Sequence, residues 1–247
     1  MSNELMVKDE LVAALDKAAE SGLLAFTETS KFKQAFMVAS AINELKAILT
    51  PEVMKPFMAL QNTSLGFKTD KANGGYPLDT VRECIITATL NGVHCVNNEF
   101  NIISGQCYIT KNGFGHKLKD IQMNGWKSGN REIKGFGWTE IPGVPTMHNG
   151  GAIIKYQLEW TVNGKSYERE LTLAIRVNSG MGADAIIGKA CRKARAWLYS
   201  TITGMELGEG DVDDIEVVDT TVTEEVKSPF EQQSVEEQAE EQDQLPM

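Results

Sequence analysis

Early in the chain the apolar positions recur three and four apart. Leu5, Leu11, Val12, Leu15 and Ala19 form such a series, which aligns them along one stripe of a helix. A second helix is expected after Thr29-Ser30, where a hydroxyl can cap free amides. It would turn Phe32, Phe36, Ala39, Leu45 and Ile48 towards the core. Thr50-Pro51 reads as an N-cap followed by proline at the first helical position, opening a third helix towards Gln61. Gly66, Gly74 and Gly75 interrupt the pattern, so residues 62–75 read as a loop. Helical spacing returns with Val81, Ile85, Ala88 and Leu90 over residues 78–91, and Gly92 is placed to end that helix.

The period then shortens. Residues 99–103 and 106–110 are rich in Ile, Tyr and Phe and are separated by Ser104-Gly105, the pattern of a hairpin. A short helix is expected over residues 113–119. Residues 153–162 and 166–177 meet at Asn163-Gly164, a pair suited to a type I′ turn because both central residues need positive φ. The glycine-rich stretch between the hairpins, residues 121–150, reads as extended strands and long loops. A last helix is expected over Ala183–Thr203, with Asp184 favouring its start and Gly204 its stop. Helices, then antiparallel strands, then one long helix argue for an α+β fold rather than alternating α/β.

Charge separates two regions that the net value of −10 averages together. Residues 205–247 hold 15 acidic residues and one basic residue, Lys227, for a net −14. Subtraction from the totals of 34 and 24 leaves 19 acidic and 23 basic residues in 1–204, a net +4. The expected organisation is therefore a folded domain over 1–204 and a disordered acidic tail over 205–247. No run approaches the roughly 18 consecutive apolar residues of a membrane helix. The start, Met1-Ser2-Asn3-Glu4, does not read as a secretory signal, so a cytoplasmic location is expected.

The residues carry few signs of catalysis. There is no phosphate-binding Gly-x-x-x-x-Gly-Lys-Ser/Thr loop, no dinucleotide fingerprint and no nucleophile elbow. His94, His116 and His148 stand singly and read as surface or packing residues. Cys84, Cys95, Cys107 and Cys191 form no Cys-x-x-Cys pair and read as reduced, half-buried thiols. His94-Cys95 lacks a second ligand pair at zinc-site spacing, so neither metal nor cofactor is expected, and neither are catalytic residues.

The strongest positive feature is the last helix. Lys189, Arg192, Lys193 and Arg195 fall on one side, opposite Ile187, Ala190, Ala194, Trp197, Leu198 and Thr201. An apolar face docked on the sheet would turn the cations outward, where they suit a phosphate backbone or simply water. Lys111, Lys117, Lys119, Lys127, Arg131, Lys134 and Arg176 surround the strands, interleaved with Tyr108, Phe114, Trp126, Phe136 and Trp138. Cations that track a backbone and rings that stack on unpaired bases are what a single-strand groove needs. Of the rings, Trp126 is the one expected to be exposed.

The run Glu99-Phe100-Asn101-Ile102-Ile103-Ser104-Gly105-Gln106-Cys107-Tyr108-Ile109-Thr110-Lys111-Asn112-Gly113-Phe114 resembles the central segment of phage single-strand annealing proteins of the RecT/Redβ kind. Asp184-Ala185-Ile186-Ile187-Gly188-Lys189-Ala190-Cys191-Arg192-Lys193-Ala194 is similar to their closing basic helix. The resemblance implies a Rad52-like β-β-β-α core, a homo-oligomeric ring or filament, and ATP-independent annealing of single-stranded DNA in recombination. It also implies DNA contacts at Lys189, Arg192, Lys193, Arg195 and Tyr108. Lys111-Asn112-Gly113 stands where the family usually has a proline-containing turn. The acidic tail and its Leu245-Pro246-Met247 tip resemble in part the C-terminal peptide of bacterial single-stranded-DNA-binding proteins, which ends in Pro-Phe; one reading is that the tail docks a replication or repair partner or competes with DNA for the basic groove, and a solubilising extension is the other. A passive single-stranded-DNA-binding protein of the OB-fold type and a DNA-processing enzyme remain as alternatives, as does a scaffold without DNA affinity.

Overall fold

The computed structural model describes residues 3–24, 30–71, 73–148, 150–205 and 207. Apart from Met205 and Leu207, the acidic tail lies outside the described residues. The fold is mixed α+β, and its described residues divide into two units, one of residues up to 132 with 191–205 and 207, the other of residues 133–190.

The first unit contains α1 (Asn3–Leu24), α2 (Lys31–Ile48), α3 (Pro51–Met58), β1 (Lys68–Thr69), α4 (Leu78–Leu90), β2 (Phe100–Ile103), β3 (Gln106–Ile109), α5 (Lys111–Asn124) and β4 (Trp126–Ser128). The ribbon partner β5 (Arg131–Ile133) follows β4. Helix α4 is its centre. Val81, Cys84, Ile85, Ile86, Ala88 and Leu90 are all buried, and the helix touches α1, α2, α3, β2 and β3. Thr50 caps α3 as its sequence predicts, with Pro51 in the first turn. Strands β2 and β3 form an antiparallel hairpin in which Phe100 faces Ile109 and Ile103 faces Gln106. Its turn residues Ser104 and Gly105 sit at φ 52° and 78°, the left-handed pair that a two-residue hairpin needs. The loop expected over 62–75 contains the short strand β1, parallel to β2.

Helix α2 departs from expectation. Phe32 and Phe36 are 83% and 75% exposed, and Ala39 is exposed too. Leu45 is buried as expected and Ile48 half-buried, and Ala41 is the other buried position of the helix. In α1 Ala18 and Gly22 are buried and Val12 faces out. A period of 3.6 fits several stripes when apolar residues ring a helix, and packing against α4 selects one.

Helix α5 is longer than the short helix expected. Thr110 Oγ1 accepts from the amides of Asn112 and Gly113 and so starts it before the first glycine. Its glycines serve contact rather than breakage. A Cβ at Gly113 would lie 2.3 Å from the Glu99 carbonyl oxygen, so only glycine lets α5 meet the chain entering β2.

The second unit is an antiparallel sheet followed by a helix: β6 (Gly137–Pro142), β7 (Thr146–His148), β8 (Gly151–Val162), β9 (Lys165–Arg176) and the first turns of α6 (Ala183–Thr203). Strands β6 and β7 run in succession along one edge of β8, and β9 pairs with its other edge through all twelve residues. Asn163 and Gly164, at φ 52° and 76°, form the turn that this dipeptide predicts. Alternation is strict. Ala152, Ile154, Tyr156, Leu158 and Trp160 are buried, opposite Ile175, Leu173, Leu171, Arg169 and Tyr167 of β9. The Trp160 and Tyr167 rings stack at 5.5 Å.

Candidate nucleic-acid interface

The basic residues of α6 follow a different rule from the one their sequence suggests. Arg192 is 6% exposed and Lys193 9% exposed, so the basic side of the helix is not an outward face at these positions. The Arg192 guanidinium lies 3.9 Å from the centre of the Tyr108 ring, and its Nε donates to the Ile109 carbonyl at 2.8 Å. One turn on, half-buried Arg195 donates from Nη1 to the Lys111 carbonyl at 2.7 Å. These two arginines bind the last carbonyl of β3 and the first carbonyl of α5. Tyr108 is half-buried beneath one of them. On the opposite side Ala190, Ala194 and Leu198 are buried as expected, while Ile187 and Trp197 are half-buried and Thr201 is exposed.

Lys117 is also drawn inward. Its Nζ donates to the Asn91 carbonyl and stands 4.9 Å from the centre of the Tyr199 ring. Burial pulls the ammonium down from an ordinary 10.5 to about 8, and burial pushes the Tyr199 phenol up to about 12. Both side chains line a cavity of about 300 Å³, with Trp126, Lys127, Asp120 and Leu207. Trp126, expected to be exposed, is half-buried because its ring forms part of this wall.

The remaining expected cations of the first unit are exposed. Lys111 and Lys119 lie on α5, Lys127 on β4 and Arg131 on β5, where Arg131 Nη1 also donates to the Thr203 carbonyl at 3.1 Å. In the second unit Arg176 is exposed at the end of β9, and half-buried Lys189 donates to its carbonyl at 3.0 Å.

No family model, curated protein or solved structure matches this chain.

One cluster escaped the sequence. His94, in the loop after α4, and His116, on α5, converge on Glu99, with His94 Nδ1 3.5 Å from Oε1 and His116 Nδ1 3.1 Å from Oε2. The His94 amide donates to Oε2 at 3.0 Å. A ligand search by short spacing stops at His94-Cys95, because the partners stand one loop and one hairpin away. Asn98 and Glu99 carbonyls both accept from Thr110 Oγ1, which fastens that loop to the start of α5. Among the described residues, no helix is long and apolar enough to cross a membrane.

Proposed function

We propose that this protein binds single-stranded DNA and anneals complementary strands without making or breaking a covalent bond. The observation that carries this reading is the wall of the cavity in the first unit. Trp126 offers an aromatic face there, and Lys127 stands beside it as a cation. Exposed Lys119 and Arg131 occupy the neighbouring α5 and β5. A ring that stacks on any base and cations that hold the phosphates make a sequence-tolerant contact. The DNA-binding role of α6 is revised accordingly. Arg192 and Arg195 hold Tyr108 and the β3–α5 junction in place, and the contact passes to Lys111, Lys119, Lys127 and Arg131. Arg176 is the corresponding exposed cation of the second unit.

Two further features support the family resemblance. Strands β6 with β7, then β8, β9 and α6, follow the order β-β-β-α implied for a Rad52-like core. Phe32 and Phe36 form an exposed apolar pair that suits contact with a second copy, as a ring or filament requires. Oligomerisation would set successive basic segments along one strand. The acidic tail would compete with DNA for those segments, or dock a replication or repair protein.

The test is fluorescence anisotropy of a labelled single-stranded oligonucleotide across a salt series, followed by annealing of complementary oligonucleotides without ATP. The Lys119/Lys127/Arg131→Ala variant should bind more weakly, with a log–log salt slope shallower by roughly 2, at about 0.7 per lost phosphate contact. A truncation after Leu207, which keeps that buried side chain, should bind more tightly. Absence of binding by the full chain at low salt would overturn the proposal.

A further inference from the structure

The carboxylate of Glu99 is buried, at 5% exposure, and among the described residues its ion-pair partners are the imidazoles of His94 and His116. A bound dication would offset the charge of a buried carboxylate, and imidazole is a common ligand for such an ion. The donor atoms are already gathered for one: the three ligand atoms all lie within 4.8 Å of one another. Bonds of about 2.0–2.2 Å in tetrahedral geometry place neighbouring ligand atoms about 3.3–3.6 Å apart. His116 Nδ1 is 3.1 Å from Glu99 Oε2 and His94 Nδ1 3.5 Å from Oε1, so each imidazole meets its own carboxylate oxygen at close to that separation. The imidazole rings face each other with centroids 4.3 Å apart, tilted by 41°.

The surroundings are those of a supported site. The His94 amide holds Glu99 Oε2 at 3.0 Å and so orients the carboxylate, the role that outer hydrogen bonds serve at metal centres. His94 is largely exposed, with its side chain 60% accessible, which leaves a solvent path and room for water as a further ligand. We propose that His94, Glu99 and His116 bind one divalent transition-metal ion, zinc or a similar imidazole-preferring ion, and that it clamps the loop after α4 to α5. The two-imidazole, one-carboxylate set selects zinc or ferrous iron over magnesium and calcium, which prefer all-oxygen cages. Binding requires each neutral ring to carry its hydrogen on Nε2, leaving the Nδ1 lone pair for the metal. Cys95 adjoins His94 in sequence but does not belong to the ligand set.

This inference is independent of DNA binding, and so is its test. The chelator-treated full chain is titrated with zinc chloride by calorimetry, and with cobalt(II) by visible absorption, beside His94→Ala, His116→Ala, Cys95→Ser and His148→Ala variants. The wild type should take up a single tight equivalent and show cobalt ligand-field bands. Loss of an outer partner alone costs roughly 10–100-fold in affinity. Loss of a ligand in His94→Ala or His116→Ala should therefore cost about 100-fold or more and abolish the bands. Cys95→Ser and His148→Ala should bind as the wild type does. Because His94 is exposed, its variant should keep the wild-type circular dichroism spectrum, which separates ligand loss from unfolding. Equal zinc affinity in His94→Ala and wild type, no tight equivalent in the wild type, or loss of binding in Cys95→Ser alone would each overturn the site.

Discussion

The guanidinium of Arg192 covers the ring of Tyr108 at 3.9 Å and simultaneously holds the carbonyl of the next residue, Ile109, at 2.8 Å. One side chain from the last helix thus fixes the end of the central hairpin, 83 residues earlier in the chain. A cation so placed contributes through the fold before it contributes to any ligand.

Arg192→Ala should therefore destabilise the protein by about 2–4 kcal/mol, since it leaves a buried carbonyl unpaired and removes the contact with the ring. Arg192→Lys should recover only part of this, because an ammonium cannot reproduce the planar donor above the ring. Exposed Lys119→Ala should stay within about 0.5 kcal/mol of wild type. Urea unfolding followed by circular dichroism measures all three, and a cost below about 1 kcal/mol for Arg192→Ala would contradict the structural role.

Lys117 gives a pH signature. Its folded value, about 8, lies below the unfolded 10.5, so the unfolded chain holds more protons between those values. Stability attributable to this lysine must then rise with pH from about 8 to 10.5 and be smallest below 8. Cys84, Cys95 and Cys107 act oppositely above their ordinary 9, since burial pushes their thiols up to about 11, 11 and 12. The difference between wild type and Lys117→Met cancels the thiols. Wild type should gain on the variant as pH increases from 8 to 10, measured by denaturant midpoints, and a flat difference would refute the buried-ammonium account.

Gly113 and Gly115 should respond unequally to alanine. A Cβ at 113 meets backbone, the Glu99 carbonyl at 2.3 Å, whereas one at 115 meets the movable end of Arg195 at 2.6 Å. Gly113→Ala should cost about 1–3 kcal/mol net of its better helix propensity. Gly115→Ala should cost less, through loss of the Arg195 bond to Lys111. Thermal melts of the two variants would show the order, and equal melting temperatures would argue against the close approach at 113.

The pair Phe32 and Phe36 tests self-association. Replacing both with serine removes exposed apolar surface and should change monomer stability by no more than about 0.5 kcal/mol. Sedimentation velocity should report smaller assemblies for the variant than for wild type. An unchanged distribution would place the self-contact elsewhere on the protein.

The elements that sequence made legible are those whose signals are local. Asn163-Gly164 and Ser104-Gly105 form their turns because positive φ is a property of two residues. Thr50-Pro51 opens α3 because a capping hydroxyl and a proline with fixed negative φ act within one turn. The long helix Ala183–Thr203 and the alternation of β8 follow from patterns confined to one segment. The site was less legible, since side chains cannot be assigned inward or outward until their partners are known.

Sequence by itself determined the α+β class, the strand-pairing turns, the final helix and the division of charge between the chain's body and its tail. Tertiary structure alone decided that Phe32 and Phe36 face out, that Arg192 and Lys193 are buried, and that His94, Glu99 and His116 meet. The physical reason is shared by all three. Periodicity reports that a helix has faces, but which face is buried depends on groups far along the chain, here α4, the Ile109 and Lys111 carbonyls, and the turn of α5 that carries His116.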